Sequence, residues 1–419
     1  MDVLISGASV AGPVLAYWLD RFGFTPVVVE RAAFPRLGLG GHAVDLFAPA
    51  TAVMGHMGLL ETLREASTES TALRLERPGK RSITVDLRDI SDAFADGRHL
   101  EIMRGELAAI LHAATAGRVD YRFGDSIAEL GDHGDGVAVR FDSGDRARFD
   151  LVIGADGMHS RVRELVFGPE RHWRQHLGGY FAVGTLPNHR ELTGLTLLYN
   201  AVDRIAAMYP VRQTGLARAV FLFRRGEEPE FDPRDIDAQR RLLRAEYRDE
   251  GWDIPLLLDE MDRAEDFYLD SIARIRLDSW SRGRVALVGD AGYAPGPAVG
   301  GGTSLAVVGA YLLARALAEA DGDHSVAFPA YRAPVEAYAR RCREVAPAVL
   351  RRGIPRSRAQ LRFSETAMRL LPHIPHSIRT RLMAGSASST LSSFTVPDPP
   401  ARTPPPRPGG FRAGPAPLP

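Results

Sequence analysis

At 419 residues the chain is too long for one simple domain; the length suits two or three domains, or one elaborated domain, each with ample core. Its composition, 45% hydrophobic and 25% charged, is that of a globular protein, and 52 basic against 52 acidic residues give a formal net charge of zero, so no global field draws it to nucleic acid or to an anionic membrane. The single cysteine, Cys342, excludes an intramolecular disulfide and a cysteine metal cluster, no apolar run approaches the ~18 residues of a spanning helix, and the first residues enter a strand without a basic leader, so a cytoplasmic chain with no stable membrane insertion is expected.

Asp2-Val-Leu-Ile-Ser6 reads as a buried strand, Gly7-Ala-Ser-Val-Ala-Gly12 as a tight turn, Val14 to Phe22 as a helix, and Pro26-Val-Val-Val-Glu30 as a second strand. A βαβ start of this kind gathers backbone N–H groups and the positive end of a helix dipole at one point, where a pyrophosphate can sit. Gly7 allows the turn, Gly12 lets helix and sheet approach, and Glu30 is placed to accept hydrogen bonds from a ribose. Ser9 stands where the usual G-x-G-x-x-G has its middle glycine.

Gly38-Leu-Gly-Gly41 and His42-Ala-Val-Asp-Leu46 form a loop leading to a helical stretch from Pro49 to Ala66, and Thr71 to Arg77 with Ser82 to Leu87 read as a hairpin. Arg104 opens a helix carrying Leu107, Ile110, Leu111 and Ala114; a cation is disfavoured at that end by the dipole, which points to an anionic ligand. Short strands follow at 119–123, 126–130 and 137–141, then a buried strand from Phe149 into Gly-Ala-Asp156-Gly157 and a helix after Ser160. From Gly178 to Arg276 alternating segments describe an antiparallel sheet interrupted by a charged helix near 234–249. The earlier pattern then returns: Arg284 to Asp290 is a strand running into a turn, Ala291 to Gly302 a shaped Gly/Pro loop, and 303–318 a helix. Two arginine-rich helical segments, Tyr331 to Arg352 and Gln360 to Met383, read as covering helices, and the ten prolines of residues 397–419 describe a disordered tail.

The N-terminal turn with Glu30, the Asp156-Gly157 piece and the Gly-Asp290 piece with its loop, in that order around a β-rich insertion, resemble the group A FAD-dependent monooxygenases, with the fold of para-hydroxybenzoate hydroxylase and of the tetracycline-inactivating monooxygenases. The resemblance spans residues 1–350. It implies an α/β chain with a Rossmann-like FAD-binding domain (1–70, 100–177 and 277–330), an inserted antiparallel-sheet substrate domain (71–99 and 178–276), C-terminal covering helices (331–385) and a Pro-rich tail (386–419).

The resemblance also implies roles. Gly7, Ser9 and Gly12 would hold the FAD pyrophosphate, Glu30 and Arg31 the adenosine end, and Asp45 would lie close to the flavin. Arg104 would contact FAD from its helix start, Asp156-Gly157 would serve FAD and the nicotinamide cosubstrate, Asp290 would bond the ribityl chain, and Pro297 with Gly300, Gly301 and Gly302 would lie along the flavin ring. NADPH or NADH would reduce FAD, and dioxygen would give a flavin C4a-hydroperoxide that oxygenates an aromatic or polyketide-like small molecule. No protein side chain is expected to act as the catalyst, and no metal is implied. Tyr199, Arg204 and Phe221, on strands of the inserted sheet, are the expected substrate contacts.

The family pattern Gly-Asp-Ala-Ala-His with Gly-Gln-Gly-x-Asn is departed from at Gly292, Tyr293, Gly301 and Ser304, which keeps backbone contacts available and removes the usual side-chain ones. The sequence argues against a flavin-dependent halogenase, which needs an active-site lysine and a Trp-x-Trp-x-Ile-Pro signature: the only lysine is Lys80 in a hairpin turn, and no Trp-x-Trp occurs. A reductase or cyclase of the same fold acting on an isoprenoid, and a non-catalytic protein that sequesters FAD and a ligand, are the alternatives.

Overall fold

The chain is described from a computed structural model over residues 1–34, 42–68, 70–87, 99–212, 214–228, 235–296, 301–375, 378 and 391–400, with the side chains of 345–349 and 352 set aside. Val3, Leu4 and Ile5 are fully buried in β1 (Asp2–Ser6), apolar on both faces as a central parallel strand requires. Helix α1 (Ala11–Arg21) carries the chain to β2 (Thr25–Glu30). After β3 (Ala43–Leu46) come α2 (Ala48–His56) and α3 (Leu60–Glu65), which divide the stretch read as one helix because Gly58 turns with φ 74°. The hairpin β4 (Ala72–Glu76) and β5 (Ile83–Asp86) is followed by β6 (Leu100–Met103), α4 (Arg104–Thr115), β7 (Asp120–Phe123), β8 (Ile127–Asp132), β9 (Val137–Phe141), β10 (Arg146–Phe149) and β11 (Leu151–Gly154). Helix α5 (Arg161–Phe167) begins at Ser160, whose hydroxyl accepts the Arg163 N–H as an N-cap.

Then come β12 (Arg174–Pro187), β13 (Leu195–Ala201), β14 (Arg204–Val211) and β15 (Leu216–Arg224). The charged helix expected near 234–249 is α6 (Ile236–Glu246), and a second, α7 (Ile254–Arg263), starts afresh with Pro255 in its first turn and Leu257, Leu258 and Met261 buried. The chain continues through β16 (Tyr268–Ile275), β17 (Ser281–Arg282), β18 (Val285–Leu287), the single turn α8 (Asp290–Tyr293), α9 (Gly302–Glu319), α10 (His324–Gly353) and α11 (Arg358–Leu370).

Two large sheets result. The first has six strands in the order β17-β18-β11-β1-β2-β7, parallel throughout except for β17 against β18. The carboxyl ends of β1, β11 and β18 therefore release their turns on one edge, bringing Gly7, Asp156 and Asp290 together from distant points of the chain. The second sheet has seven strands in the order β16-β12-β15-β14-β13-β4-β5, antiparallel except for β13 against β4. Side chains alternate across it. One face, carrying Tyr180, Tyr199, Met208, Phe221 and Phe223, packs into a core with α6 and α7. The other carries Phe181, Tyr209, Arg218 and Tyr268 and looks toward β3 and the loop before it: the Ala43 N–H donates to Tyr209 Oη at 3.0 Å, and the His42 and Phe181 rings lie 5.7 Å apart.

The C-terminal segment 391–400 corrects the expectation of a disordered tail from 386 onward. Leu391 is fully buried, Phe394 and Val396 pack against the same core, and the Phe394 and Tyr338 rings stack 5.2 Å apart. Its carbonyls are used as well: Tyr338 donates to Leu391 O, Tyr311 to Pro397 O and Arg315 to Asp398 O, at 2.9, 2.8 and 3.0 Å. Proline count misled here because three spaced apolar side chains suffice to anchor an extended segment whose carbonyls find donors on α9 and α10. Residues 386–390 and 401–419 lie outside the described residues.

Candidate functional site

The site begins at the turn after β1. Gly7 has φ 109°, its N–H donates to Val29 O at 2.8 Å, and a Cβ there would stand 2.5 Å from Ala155 O, so the turn is pressed against the end of β11. Gly12, inside α1, lies so close to Gly7 that a Cβ would stand 1.9 Å from its carbonyl oxygen. Glu30 holds the turn from the other side, its two oxygens accepting the Ala8 and Ala32 N–H groups at 2.9 Å each. A carboxylate has about four acceptor positions, so two remain for an outside donor. Arg31 is exposed beside it.

Arg104 comes to this turn from the start of α4. Its Nη2 and Nε lie 3.0 and 3.3 Å from Ser9 Oγ, and among the described residues no carboxylate pairs with it within 4.0 Å. The N-terminus of α1 has no side-chain cap and no acid in its first turn, and the same holds for α9. Two uncapped helix starts and a cation without a counter-ion make a place for an anion.

Asp290 opens α8 after Gly289, with one carboxylate oxygen 3.7 Å from where a Cβ on Gly302 would stand. Burial raises its carboxyl above the ordinary value, against the opposing pull of Arg104 and Arg163. Among the described residues nothing hydrogen-bonds that carboxyl, so it is a partly buried acceptor facing the start of α9. Pro297 and Gly300 lie outside the described residues, as do Gly38 to Gly41. Asp156 is occupied differently: it accepts from Ser160 Oγ at 2.5 Å and from the Val162 N–H at 3.1 Å, capping α5. Gly157, φ 81°, makes the bend that lets it do so. Arg163, fully buried, donates to Ala291 O at 3.0 Å and to Glu170 at 2.7 Å, and so ties the Asp156 loop to the Asp290 turn.

Three of the four departures from the family pattern, Tyr293, Gly301 and Ser304, are explained by packing. Tyr293 points into the core, its hydroxyl accepting from Tyr331 at 2.9 Å and its ring 4.3 Å from that of Trp280; Gly309 on α9 makes the room, since a Cβ there would meet the Tyr293 oxygen at 2.0 Å. The hydroxyl of Ser304, fully buried, accepts the Phe47 N–H at 2.9 Å and donates to Asp45 O at 3.1 Å, clasping α9 to β3. The space beside Gly301 is filled by Leu391, whose Cδ2 is 2.8 Å from the Cβ position.

Asp45 itself meets a group absent from the sequence expectations: His99 Nε2 lies 2.7 Å from its Oδ1. Burial works against a charge on His99, but Asp45 and Glu101 outweigh it and leave the imidazole raised. His42, by contrast, is lowered to about 4 by burial and by Arg104, so it is neutral at physiological pH. Tyr209 is pushed up to about 12 by burial. Arg218, buried on the same sheet face, is paired with Asp266 and Thr185.

Tyr199, Arg204 and Phe221 are on the other face, away from these groups. Tyr199 donates to Glu250 at 2.8 Å and stacks 5.6 Å from Trp252, Arg204 donates to the carbonyl of Glu246, and Phe221 packs at 4.9 Å on Tyr247. All three belong to the core under α6 and α7 and do not join the cleft that holds Asp45, His42 and Arg104. The difference is one of parity: the opposite face of this sheet carries Phe181 and Tyr209 to His42 and Ala43.

A parallel sheet whose strand ends converge on an uncapped glycine turn, an acid at the second strand's end and an isolated arginine define a dinucleotide-binding protein. The family model described as FAD binding domain matches residues 1–353, and the chain belongs to that family. Within it the protein is an FAD-dependent monooxygenase that oxygenates a small molecule. A flavin-dependent monooxygenase of Legionella longbeachae is 37% identical over 339 residues, covering 81% of this chain and 86% of its own. An uncharacterized protein of Mycobacterium tuberculosis is 41% identical over 340 residues, 81% of this chain and 91% of its own. The crystal structure of tetracycline destructase Tet(51) is similar over 95% of this chain and 99% of its own, with a TM-score of 0.81 and 30% identity.

Proposed function

We propose that the chain hydroxylates an aromatic or polyketide-like small molecule held in the cleft between the two large sheets. FAD, when bound, supplies the redox chemistry and the activation of dioxygen. Glu30 and Arg31 would hold the adenosine end, Gly7, Ser9, Gly12 and Arg104 the pyrophosphate, and Asp290, Gly301 and Gly302 at the start of α9 the ribityl chain and ring. Asp45 would orient the ring's neighbourhood through its pair with His99, while Asp156 and Gly157 would act by fixing α5. The first sheet would form the FAD-binding domain and the second, with the β4–β5 hairpin, the substrate-binding domain.

The observation that carries this reading is Arg104. It joins Ser9 by hydrogen bonds and Asp290 by charge, so three parts of the chain share one cation that no carboxylate among the described residues pairs with within 4.0 Å. Substrate would lie against His42, Phe181, Tyr209 and Tyr268, a mostly aromatic wall with a neutral imidazole. The departures at Tyr293, Gly301 and Ser304 are packing solutions that leave the start of α9 without a side-chain cap, so its backbone N–H groups stay available to a ligand. The test is a screen of aromatic compounds with NADPH or NADH under isotopically labelled dioxygen, with product mass as the readout. One labelled oxygen in the product is expected; turnover without label would favour the reductase or cyclase alternative.

A further inference from the structure

A cavity of about 520 Å³ lies between the end of β16 and the middle of α10. Arg274 and Arg276 line it from the β16 side and Arg332, Arg340 and Arg343 from α10. Only three acids share the lining, Asp278, Glu336 and Glu344, and Glu336 is already divided between Arg332 and Arg343 at 3.1 Å each. Arg274 gives its Nε to the neutral side-chain oxygen of Gln175 at 2.9 Å, and among the described residues Arg276 and Arg340 have no carboxylate within 4.0 Å. Burial, and then the facing charges of Arg276 and Arg343, depress the Arg274 guanidinium, the mark of cations crowded against one another.

Such a cluster is self-repelling when empty and focuses its field into a concave space, and the planar guanidinium fork matches phosphate oxygens two at a time. The volume falls in the usual range of small-molecule sites, about 300–1,000 Å³. Its position narrows the choice of ligand. The Ile275 N–H, between Arg274 and Arg276, donates to Ala294 O at 3.0 Å, so the β16 wall of the cavity is tied to the segment that follows Asp290.

We propose that this cavity binds the phosphate-bearing adenylate end of the reduced nicotinamide cosubstrate and selects NADPH through the 2′-phosphate. The proposal rests on the monooxygenase reading above. It would also explain how a chain with one dinucleotide fingerprint handles two dinucleotides: the second is captured by charge between the end of β16 and α10, without a βαβ unit of its own.

The FAD-loaded chain is titrated calorimetrically with 2′,5′-ADP, 5′-AMP and inorganic phosphate. We expect 2′,5′-ADP to bind more tightly than 5′-AMP and to compete with NADPH. Arg276→Ala and Arg340→Ala should each weaken 2′,5′-ADP and raise the KM for NADPH by about tenfold, the scale of one charge-assisted hydrogen bond. Flavin content serves as the folding control, and Arg340→Lys should recover part of the loss. Unchanged 2′,5′-ADP affinity in both variants overturns the proposal, as does phosphate binding as well as 2′,5′-ADP, which would mark an adventitious anion only. Anaerobic mixing with NADPH and with NADH separates the two readings: a flavin reduced by neither defeats the monooxygenase reading, while the titration still reports on the cavity.

Discussion

Asp290 is the residue on which the flavin assignment is most exposed to test. Its carboxyl has no partner among the described residues and is raised by burial, so a hydroxyl of the ligand is the natural donor for it. Asp290→Ala should lower flavin retention about tenfold or more, read from the flavin-to-protein absorbance ratio after dialysis. His159 tests the loop after Asp156. Its ring nitrogens lie 3.0 Å from Asp270 and 3.0 Å from Glu170, and those two hydrogen bonds raise its pKa from 6.5 to about 9. A raised histidine stabilises the fold fully below its unfolded pKa and loses that contribution as pH climbs through the folded value. Both acids are shifted the other way: burial opposes the charge, but the bonds from His159 prevail and lower them, so their contribution fades at acidic pH. The melting temperature of wild type should therefore exceed that of His159→Gln by a constant margin from about pH 5 to 6.5, and the margin should close toward pH 9. Because the His159 side chain is 44% exposed, the margin should be a few degrees and no more.

At the scale of elements, the motif-bearing turns were legible in the sequence and the facing of the sheet strands was not, and the physical reason is visible in β15. Turn geometry is dictated locally: Gly7, Glu30 and Asp290 sit where strand, turn and helix signals change over within a few residues. Strand facing depends on what covers each side. In β15, Phe221 and Phe223 are fully buried under α6 and α7, while Val220 and Leu222, which alternate with them, are also apolar, so alternation carries no sign of which parity meets those helices. Arg204 compounded the difficulty, for a strand arginine that answers Glu246 at the end of α6 and Glu250 just beyond it is indistinguishable in sequence from one that answers a ligand. The parity assignment is testable by contrast. Tyr209→Phe, which removes the acceptor of the Ala43 N–H, should raise the substrate KM at a cost of about 1–2 kcal/mol in denaturant unfolding, whereas Tyr199→Phe, which breaks a bond to Glu250, should cost about as much stability and leave KM unaltered. A second contrast lies on α9. Alanine is a better helix former than glycine by about 1 kcal/mol, but at 309 its Cβ would meet the Tyr293 oxygen at 2.0 Å, and overpacking of about 1–3 kcal/mol should win. Adding Tyr293→Phe, which leaves the ring carbon at 3.2 Å, should return much of that loss.

For the molecule as a whole, the segment 391–400 is a structural member of the core around α9 and α10. Leu391→Ala should destabilise the fold by about 2–5 kcal/mol, and a chain ending before 391 by at least as much, both measured by thermal unfolding. The sequence hid this because Leu391, Phe394 and Val396 are scattered among serines and prolines, with no period to mark them. Leu391 also sets an order in time. The nucleotide turn is encoded in the first thirty residues, yet the side chain that seats against Gly301 is encoded some three hundred and sixty later, and at about 5–20 residues per second a ribosome needs many seconds to span that interval. Until then the nascent chain lacks the side chain that fills the space beside Gly301, so the core around α9 and α10 closes only once the segment 391–400 has been made.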